Sequence, residues 1–377
     1  MRKNRSDAVH IMHSCEAFSK NGLQVELLTP KVERKLYEIQ FSEIFDLYKM
    51  KPSFKITELP TKFLEDTDQK DSNWKIGFEK FKESFRFVLK HRKRFDYDIV
   101  YSKCFISTLP FLFLKRLKLI KSTFVFEAPY VKESWLHRFI VNHSDYIVVG
   151  TTRMENKLKA NDKHVNKVIR TPLRYYINEE ELHFNKKALR QKFKFHEDKK
   201  YVLYAGKAGV KSKELHYIMD AAEQLPEYEF AIVGITDGAK QKFAAKNLEN
   251  LTLLPFQKLE DYDDLVRSAD VLIAYYTNSE YNRYFLGPGK ASAYFKSKNP
   301  VIFSDLPSLR DRYHDDMVYF IEPDNSELLT KTIKEVVENP ELNKQKTESA
   351  KHHVLEHSFE KSTKKVLEEI ERREQKK

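Results

Sequence analysis

The sequence predicts an α/β protein with two successive doubly wound parallel sheets. Short apolar segments, each typical of a buried strand, alternate with helical patterns in two separate series, as expected for parallel strands joined by helical crossovers. Polar, lysine-rich sequence over residues 171–200 separates the two series. The 377 residues are enough for two or three domains, and the 41% hydrophobic content is sufficient for their cores.

The first series occupies residues 1–170. Helical spacing over residues 7–20 ends at Asn21-Gly22, and the strand that follows closes at Pro30. The later segments are a strand at 98–101, an apolar helix to about 119, a strand at 123–126, a helix at 134–143 and a strand at 146–149.

A strongly amphipathic helix is predicted over residues 74–92. Its polar face is charged, with Lys and Arg outnumbering Glu. Its apolar face consists of Phe78, Phe81, Phe85, Val88 and Leu89. Two interpretations stay open: a surface helix that covers a sheet, or a helix that contacts an anionic membrane.

The second series begins at residue 201. Its strands are predicted at 201–205, 229–233, 251–254, 271–274 and 301–303, and its helices at 213–225, 260–267, 290–296 and 326–338. We therefore expect an N-terminal domain over 1–170, a linker over 171–200, a second domain over 201–340 and a charged helical tail over 341–377. Ligands of doubly wound sheets bind at the carboxyl ends of the strands.

The net charge of +11 is concentrated in the first half of the chain. Residues 1–170 carry 33 Lys and Arg against 21 Asp and Glu, whereas the remainder carries 34 against 35. A basic surface suits an anionic partner such as anionic lipid, a phosphorylated substrate or nucleic acid. Because no nucleic-acid-binding motif is present, we expect no nucleic-acid partner.

Other classes are excluded by the same composition. Two cysteines cannot form a disulfide framework or a multi-thiolate zinc site, and they fit a reducing, cytoplasmic setting. No segment has the roughly 20 apolar residues of a membrane-spanning helix. No nucleophile elbow and no Walker-type phosphate loop is present.

Two segments rich in glycine and lysine predict an anion site in the second half. Gly287-Pro288-Gly289 frees the backbone before a helix whose first turn carries Lys290. Gly206-Lys207 follows the first strand of the second series, and Lys213 lies six residues further on. Exposed helix-start amides and convergent lysines would together stabilise a diphosphate.

These motifs follow one another as in a known family. They are Gly206-Lys207, Lys213, Ala221-Ala222, Gly287 to Lys290, Ala293-Tyr294 and Ser304-Asp305-Leu306-Pro307. On these residues the second half resembles the nucleotide-sugar domain of GT-B glycosyltransferases, most closely the retaining enzymes of glycosyltransferase family 4. The resemblance is strongest over residues 201–310 and implies two Rossmann-like domains facing a cleft.

The resemblance implies transfer of a sugar, with retention, from a nucleotide-sugar donor to a glycan or lipid-linked acceptor in cell-surface polysaccharide or glycoconjugate synthesis. It makes Lys207 and Lys213 catalytic, because they would hold the donor diphosphate. The donor-binding residues that it implies are Gly206, Phe256, Gln257, Glu280, Gly287, Gly289, Lys290 and Tyr294. No metal and no cofactor are implied. The basic first domain suggests a cytoplasmic enzyme that is peripheral on an anionic membrane surface.

The chain departs from the family pattern at three places. Ala293 stands where the family has a ribose-binding Glu, and the stretch from Phe126 to Pro129 lacks the family's His. The usual first strand is also missing before residues 7–20, so we expect a truncated or misassigned start. The alternative function is therefore a non-catalytic GT-B-like binding or assembly partner of an active transferase.

Overall fold

The chain forms two compact units, and each is described here by itself. In the computed structural model, unit 1 comprises Met1–Pro172 and Phe359–Lys377, and unit 2 comprises Leu173–Ser358. The structure describes residues 6–30, 44–59, 74–94, 97–171, 174–177, 183–208, 215–244 and 246–376.

Unit 1 contains two parallel sheets. Its strands are β1 (Glu26–Pro30), β2 (Lys55–Leu59), β3 (Ile99–Ser102), β4 (Thr123–Glu127), β5 (Tyr146–Val149) and β6 (Val168–Arg170). Strands β3 to β6 form a four-stranded sheet in chain order, and β1 pairs with β2 in a sheet of its own. The alternation predicted from β3 to β5 is thereby confirmed, and β2 and β6 are additional strands.

Helices connect these strands in unit 1. They are α1 (Ser6–Lys20), α2 (Ile44–Leu47), α3 (Trp74–His91), α4 (Phe105–Arg116), α5 (Trp135–His143), α6 (Thr152–Lys159), α7 (Asp162–Val165) and α17 (Phe359–Glu374). Val366 and Ile370 of α17 pack against Val125, Tyr146 and Val148. The end of the chain therefore covers one face of the four-stranded sheet.

Unit 2 contains one six-stranded parallel sheet. Its strands are β7 (Tyr201–Ala208), β8 (Glu229–Ile235), β9 (Leu251–Leu254), β10 (Val271–Ala274), β11 (Val301–Ser304) and β12 (Tyr319–Ile321). The strand order is β12-β11-β10-β7-β8-β9. The five strands predicted from the second series are confirmed, whereas the three-residue edge strand β12 has too short a pattern to be recognised.

Helices cover both faces of this sheet, as in a doubly wound fold. They are α8 (Lys186–Lys192), α9 (His216–Gln224), α10 (Asp237–Ala244), α11 (Leu259–Ser268), α12 (Glu280–Phe285), α13 (Ala291–Lys296), α14 (Pro307–Arg310), α15 (Ser326–Glu338) and α16 (Pro340–Glu356). Leu203 and Ala205 belong to one core, and their neighbours Val202 and Tyr204 belong to the core on the opposite face. This alternation explains why the strand is apolar throughout.

Helix α8 lies within the stretch predicted as a linker, and it packs on unit 2 through a buried ionic network. Arg190 pairs with Asp270, and its Nε donates to the carbonyl of Ser268 at 3.1 Å. The amide of Tyr201 donates to Asp270 at 2.8 Å, and Lys186 Nζ lies 3.0 Å from the same carboxylate. Burial raises the pKa of Asp270, but Lys186, the Tyr201 amide and Arg190 outweigh burial and lower it.

Asp270→Asn should lower the free energy of unfolding of unit 2 by about 3 kcal/mol, because it leaves the buried Arg190 and the partly buried Lys186 without their counter-charge. Glu197→Gln is the matched control: Glu197 pairs with Lys187 on the surface, and both side chains are exposed. The control should cost much less than Asp270→Asn, because solvent screens an exposed ion pair. Urea denaturation of both variants measures the difference, and equal losses would contradict a structural role for Asp270.

His353 of α16 is largely buried between aromatic rings. Its ring centroid lies 5.9 Å from that of Tyr175 and 6.4 Å from that of Tyr313. Burial, together with the nearby His357 and His314, lowers the pKa of His353 from 6.5 to about 4. The folded state therefore holds this imidazole neutral where the unfolded state protonates it.

Because the pKa is lower in the folded state, unit 2 should lose stability as the pH falls from 6.5 towards 4. His353→Phe keeps an aromatic ring against Tyr175 and should reduce this loss. His352→Phe is the control, since His352 is exposed on the same helix. Thermal unfolding across this pH range measures the effect, and an undiminished pH dependence in His353→Phe would contradict the assignment.

Candidate functional site

Four neighbouring strands of unit 2 bring sequence-predicted residues to one edge of the sheet. Strands β10, β7, β8 and β9 are adjacent and parallel, so their carboxyl ends open on the same side. Gly206 lies near the end of β7, and Phe256 follows β9. Glu280 begins the helix that follows β10. This edge is the candidate functional site.

Two glycines allow β7 and β8 to approach closely at this edge. Gly206 has φ +152° and Gly234 has φ +93°, which are conformations that favour glycine. A Cβ on Gly234 would lie 2.5 Å from the carbonyl oxygen of Gly206. The pairing of the two strands also shifts its register between Ala205 and Ala208. Gly234 is a site residue that the sequence analysis missed, although a glycine at the end of a buried strand was its visible signal.

The Lys290 side chain is buried against this glycine turn. Its Nζ would lie 3.0 Å from a Cβ on Gly206, and it sits 3.5 Å from the ring centroid of Tyr204. The rings of Tyr276 and Tyr294 lie 5.6 and 5.7 Å from the same ammonium. Three aromatic rings therefore surround the cation, an arrangement that stabilises a desolvated ammonium by about 2 kcal/mol. Lys290 fixes the loop that precedes α13 against the end of β7.

Tyr294 ties two strands together beneath the site. The side chain is fully buried, and its hydroxyl accepts a hydrogen bond from the Ala205 amide at 2.8 Å. The hydroxyl lies 3.2 Å from the carbonyl of Ile273, to which it donates. Burial raises the pKa of Tyr294 well above its usual value, so the hydroxyl keeps its proton. The structure places Tyr294 behind the strand ends, and a direct contact with a ligand stays a prediction.

The Gly287–Gly289 loop has a cation beside it. A Cβ on Gly287 would lie 2.9 Å from a guanidinium nitrogen of Arg312, whereas a Cβ on Gly289 would meet open space. Arg312 is partly buried and follows α14. The sequence analysis missed Arg312, because it lies more than twenty residues away from the glycine loop and in no recognised motif.

Three of the predicted residues present exposed or half-exposed groups at the strand ends. The Phe256 side chain is 50% exposed, and one ring carbon would lie 3.5 Å from a Cβ on Gly234. The Gln257 side chain folds back onto its own loop, where its Nε2 donates to the carbonyl of Pro255 at 2.9 Å. Glu280 is exposed in the first turn of α12. Phe256 is therefore available as an aromatic platform next to the glycine pair.

The two lysines predicted to be catalytic are not both described. The backbone of Lys207 belongs to β7, while its side chain lies outside the described part of the structure. Lys213 lies outside the described residues altogether. Their roles therefore stay predictions, and the cations placed by the structure are Lys290 and Arg312.

Ala293 belongs to α13, one turn beyond Lys290. Its side chain is partly buried and packs against the hydrophobic core of unit 2. Among the described residues, no three His, Cys, Asp or Glu side chains lie close enough together to hold a metal ion.

Unit 1 places a second polar cluster at the carboxyl ends of its own strands. Glu127 ends β4, and its carboxylate accepts a hydrogen bond from Tyr101 at 2.6 Å. Lys103 Nζ and His10 Nε2 lie 3.2 and 3.0 Å from the same carboxylate. The cluster combines two basic groups with a carboxylate where parallel sheets bind ligands. Sequence analysis missed His10, which lies 117 residues from Glu127 in the chain.

Comparison with known families identifies the kind of domain that contains this edge of the sheet. Residues 185–353 match the family described as Glycosyl transferases group 1, a range that includes the glycine pair, Phe256, Lys290 and Arg312. The match spans most of unit 2 and less than half of the chain. The recognition of a GT-B glycosyltransferase enzyme from the motifs of residues 201–310 is confirmed, whereas family 4 membership and retention stay predictions.

Solved structures of GT-B glycosyltransferases share the fold of this chain. Sucrose-phosphate synthase from Thermosynechococcus elongatus is 14% identical with a TM-score of 0.74, over 98% of this chain and 93% of that one. Anabaena HepE in complex with UDP and glucose is 11% identical with a TM-score of 0.69, over 98% and 97%. WaaG, a glycosyltransferase involved in lipopolysaccharide biosynthesis, is 13% identical with a TM-score of 0.61, over 94% and 93%. No curated protein matches the chain in sequence.

Gly206→Ala should abolish the stabilisation of this glycosyltransferase by its nucleotide ligand. The new methyl group would be strained at φ +152° and would press on the Lys290 ammonium, which displaces the turn at the end of β7. Gly238→Ala is the matched control, because a Cβ on Gly238 meets nothing within 4 Å. Thermal shift with a panel of nucleoside diphosphates measures both, and an unchanged response in Gly206→Ala would contradict the placement of the site.

Proposed function

We propose that the enzyme transfers a sugar, with retention of the anomeric configuration, from a nucleotide-sugar donor that binds at the carboxyl edge of the unit 2 sheet. The observation that carries this proposal is the close pair Gly206 and Gly234, flanked by the Lys290 ammonium and the exposed ring of Phe256. Bare backbone beside fixed cations suits a diphosphate, and an exposed aromatic ring suits a nucleobase.

The proposed donor pose assigns one part of the site to each part of the donor. The base stacks on Phe256 with Gln257 beside it, and the diphosphate lies between the Gly206 turn and the Gly287–Gly289 loop. Arg312, together with Lys207 and Lys213, stabilises the negative charge of the leaving diphosphate. Glu280 faces the sugar. The Lys290 ammonium and the Arg312 guanidinium are held beside the two glycine turns before the reaction, so stabilising the developing charge there needs little reorganisation.

The chemical step follows from retention. The bond between the anomeric carbon and the diphosphate oxygen breaks while the acceptor hydroxyl attacks from the same face. The hydroxyl proton passes to an oxygen of the departing diphosphate, so the protein supplies positioning and charge stabilisation rather than a nucleophile. We propose that the step needs no metal and no cofactor, because the charge of the diphosphate is met by lysine and arginine.

We propose a glycan or lipid-linked acceptor and a role in cell-surface polysaccharide or glycoconjugate synthesis. The HepE structure contains UDP and glucose, and WaaG is involved in lipopolysaccharide biosynthesis, which supports this class of donor and acceptor. The excess of basic residues in 1–170 suits an acceptor carried on an anionic membrane. The enzyme would then work in the cytoplasm as a peripheral membrane protein. No helix among the described residues has the length and apolarity needed to span a membrane.

Lys207→Ala/Lys213→Ala should remove a nucleotide response that the wild-type protein shows. The experiment is a thermal-shift panel with UDP, GDP, CDP, ADP and their common sugars. A nucleotide at 100 times its dissociation constant should stabilise the wild type by about 2.7 kcal/mol. The nucleotide that produces the shift identifies the donor base, and NMR of the product anomer then tests retention.

Lys334→Ala/Lys344→Ala is the matched control, because both lysines are exposed in unit 2 on α15 and α16 and neither directly follows a strand end. The control should respond like the wild type. A wild-type protein that responds to none of the nucleotides would overturn the proposed donor site. A response that survives in Lys207→Ala/Lys213→Ala would overturn the role of the two lysines.

A further inference from the structure

Exposed apolar side chains are concentrated on one pair of helices in unit 1. Of the twelve large hydrophobic side chains that are exposed among the described residues, six belong to α3, α4 and the turn that follows α4. They are Phe78, Phe81, Leu89, Phe113, Leu117 and Leu119. We call this set, with the basic side chains between its members, the α3–α4 face. Apolar groups gathered in this way on a surface mark an interaction site.

Ring contacts make the patch continuous across the two helices. The Phe85 centroid lies 6.3 Å from that of Phe81 on the same helix and 5.7 Å from that of Phe113 on α4. Leu117 follows Phe113 by about one helical turn, so it extends the same side of α4. Val88 is buried between the helices and anchors α3, which leaves Phe78 and Leu89 outside.

The polar residues of this face carry one sign of charge. Over residues 81–93 and 113–121, the exposed polar side chains described by the structure are all basic: Arg86, Lys90, Arg92, Lys93, Arg116, Lys118 and Lys121. The one acidic residue in these stretches, Glu83, is partly buried and pairs with Arg86 at 2.5 Å. Cations therefore surround the apolar ridge.

We propose that the α3–α4 face docks this enzyme on the surface of an anionic lipid bilayer. Aromatic and leucine side chains enter the boundary between headgroups and acyl chains, while the surrounding lysines and arginines contact the anionic headgroups. A nucleic acid would use the cations but leaves Phe78, Phe113 and Leu117 in water. A soluble acidic protein could meet both features, and the vesicle experiment distinguishes it because such a partner would leave vesicles unbound. The reason for membrane docking rests on the proposed function, which includes a lipid-linked acceptor. The location of the docking face rests on the described side chains.

Co-sedimentation tests the inference with vesicles of phosphatidylcholine alone and with phosphatidylglycerol added. Lys90→Glu/Lys93→Glu/Lys118→Glu should weaken binding to the anionic vesicles by about a hundred-fold, since each basic residue near an anionic surface contributes about five-fold. Phe78→Ser/Leu117→Ser should also weaken binding while keeping its dependence on anionic lipid and salt. Both variants change exposed side chains, so the fold should persist.

Lys240→Glu/Lys334→Glu/Lys344→Glu is the matched control, because it makes the same change of net charge on exposed lysines of unit 2. It should bind anionic vesicles within about two-fold of the wild type, because these lysines are not part of the α3–α4 face. Equal losses in the control and in the α3–α4 variant would overturn the inference. The inference would also be overturned if the wild type bound neutral vesicles as strongly as anionic ones. Binding to duplex DNA or RNA without binding to any vesicle would overturn it as well.

The nucleotide thermal shift of the same variants separates this inference from the proposed function. Both α3–α4 variants should keep the full response, since their changed residues lie in unit 1 and the donor site lies in unit 2. If the protein responds to a nucleotide but does not bind vesicles, the proposed docking surface alone is overturned. A protein that binds vesicles but responds to no nucleotide overturns the donor site alone.

Discussion

The candidate site depends on the close approach of β7 and β8 at Gly206 and Gly234. A Cβ at Gly234 would overlap the Gly206 carbonyl, so the two strand ends can meet in this way only without side chains. The chain contains just nine glycines, and two of them stand at these neighbouring strand ends. Glycine loses more conformational entropy on folding than other residues do, so the two glycines lower local stability. They leave the backbone at these strand ends uncovered by side chains.

Lys290 links this glycine pair to the rest of the site. Burying an ammonium costs several kcal/mol unless its surroundings compensate, and here the Tyr204 ring lies 3.5 Å from the charge. The same side chain occupies the space that a Cβ on Gly206 would need. The aromatic cage thereby holds the Gly287–Gly289 loop in place against the end of β7, and Arg312 stands on the other side of that loop. Lys290 therefore acts mainly by positioning the Gly287–Gly289 loop.

Much of the fold could be predicted from the sequence because buried parallel strands are continuous apolar runs. The strands from β7 to β11 have this pattern, and so do β3 to β5. Edge strands such as β12 and β2 are short or half-polar, so periodicity does not reveal them. Helix α8 looked like a linker since its docking depends on Arg190 reaching Asp270, eighty residues away, which no local pattern records.

The site itself was predictable only where local geometry constrains the residue type. Gly206 and Lys290 stand in glycine-containing turns after strands or before helices, and such turns are visible in sequence. Arg312 and Gly234 contribute through contacts with distant residues, and only the fold brings them to the glycine loop and to Gly206. The burial of Tyr294 is likewise set by tertiary packing, because a tyrosine in a short helix can face either the core or the solvent.

Ala293 sets an energetic condition on donor binding. A carboxylate at this position would accept hydrogen bonds from ribose, and a hydrogen bond to a charged group contributes about 1.5 to 3 kcal/mol. The alanine packs on the core instead, so this chain lacks the hydrogen bonds that a carboxylate would accept from ribose. In the proposed donor pose, affinity then comes from stacking on Phe256 and from the charges around the diphosphate. Such a site discriminates among donors by base and diphosphate more than by ribose hydroxyls, because no carboxylate at this position distinguishes them.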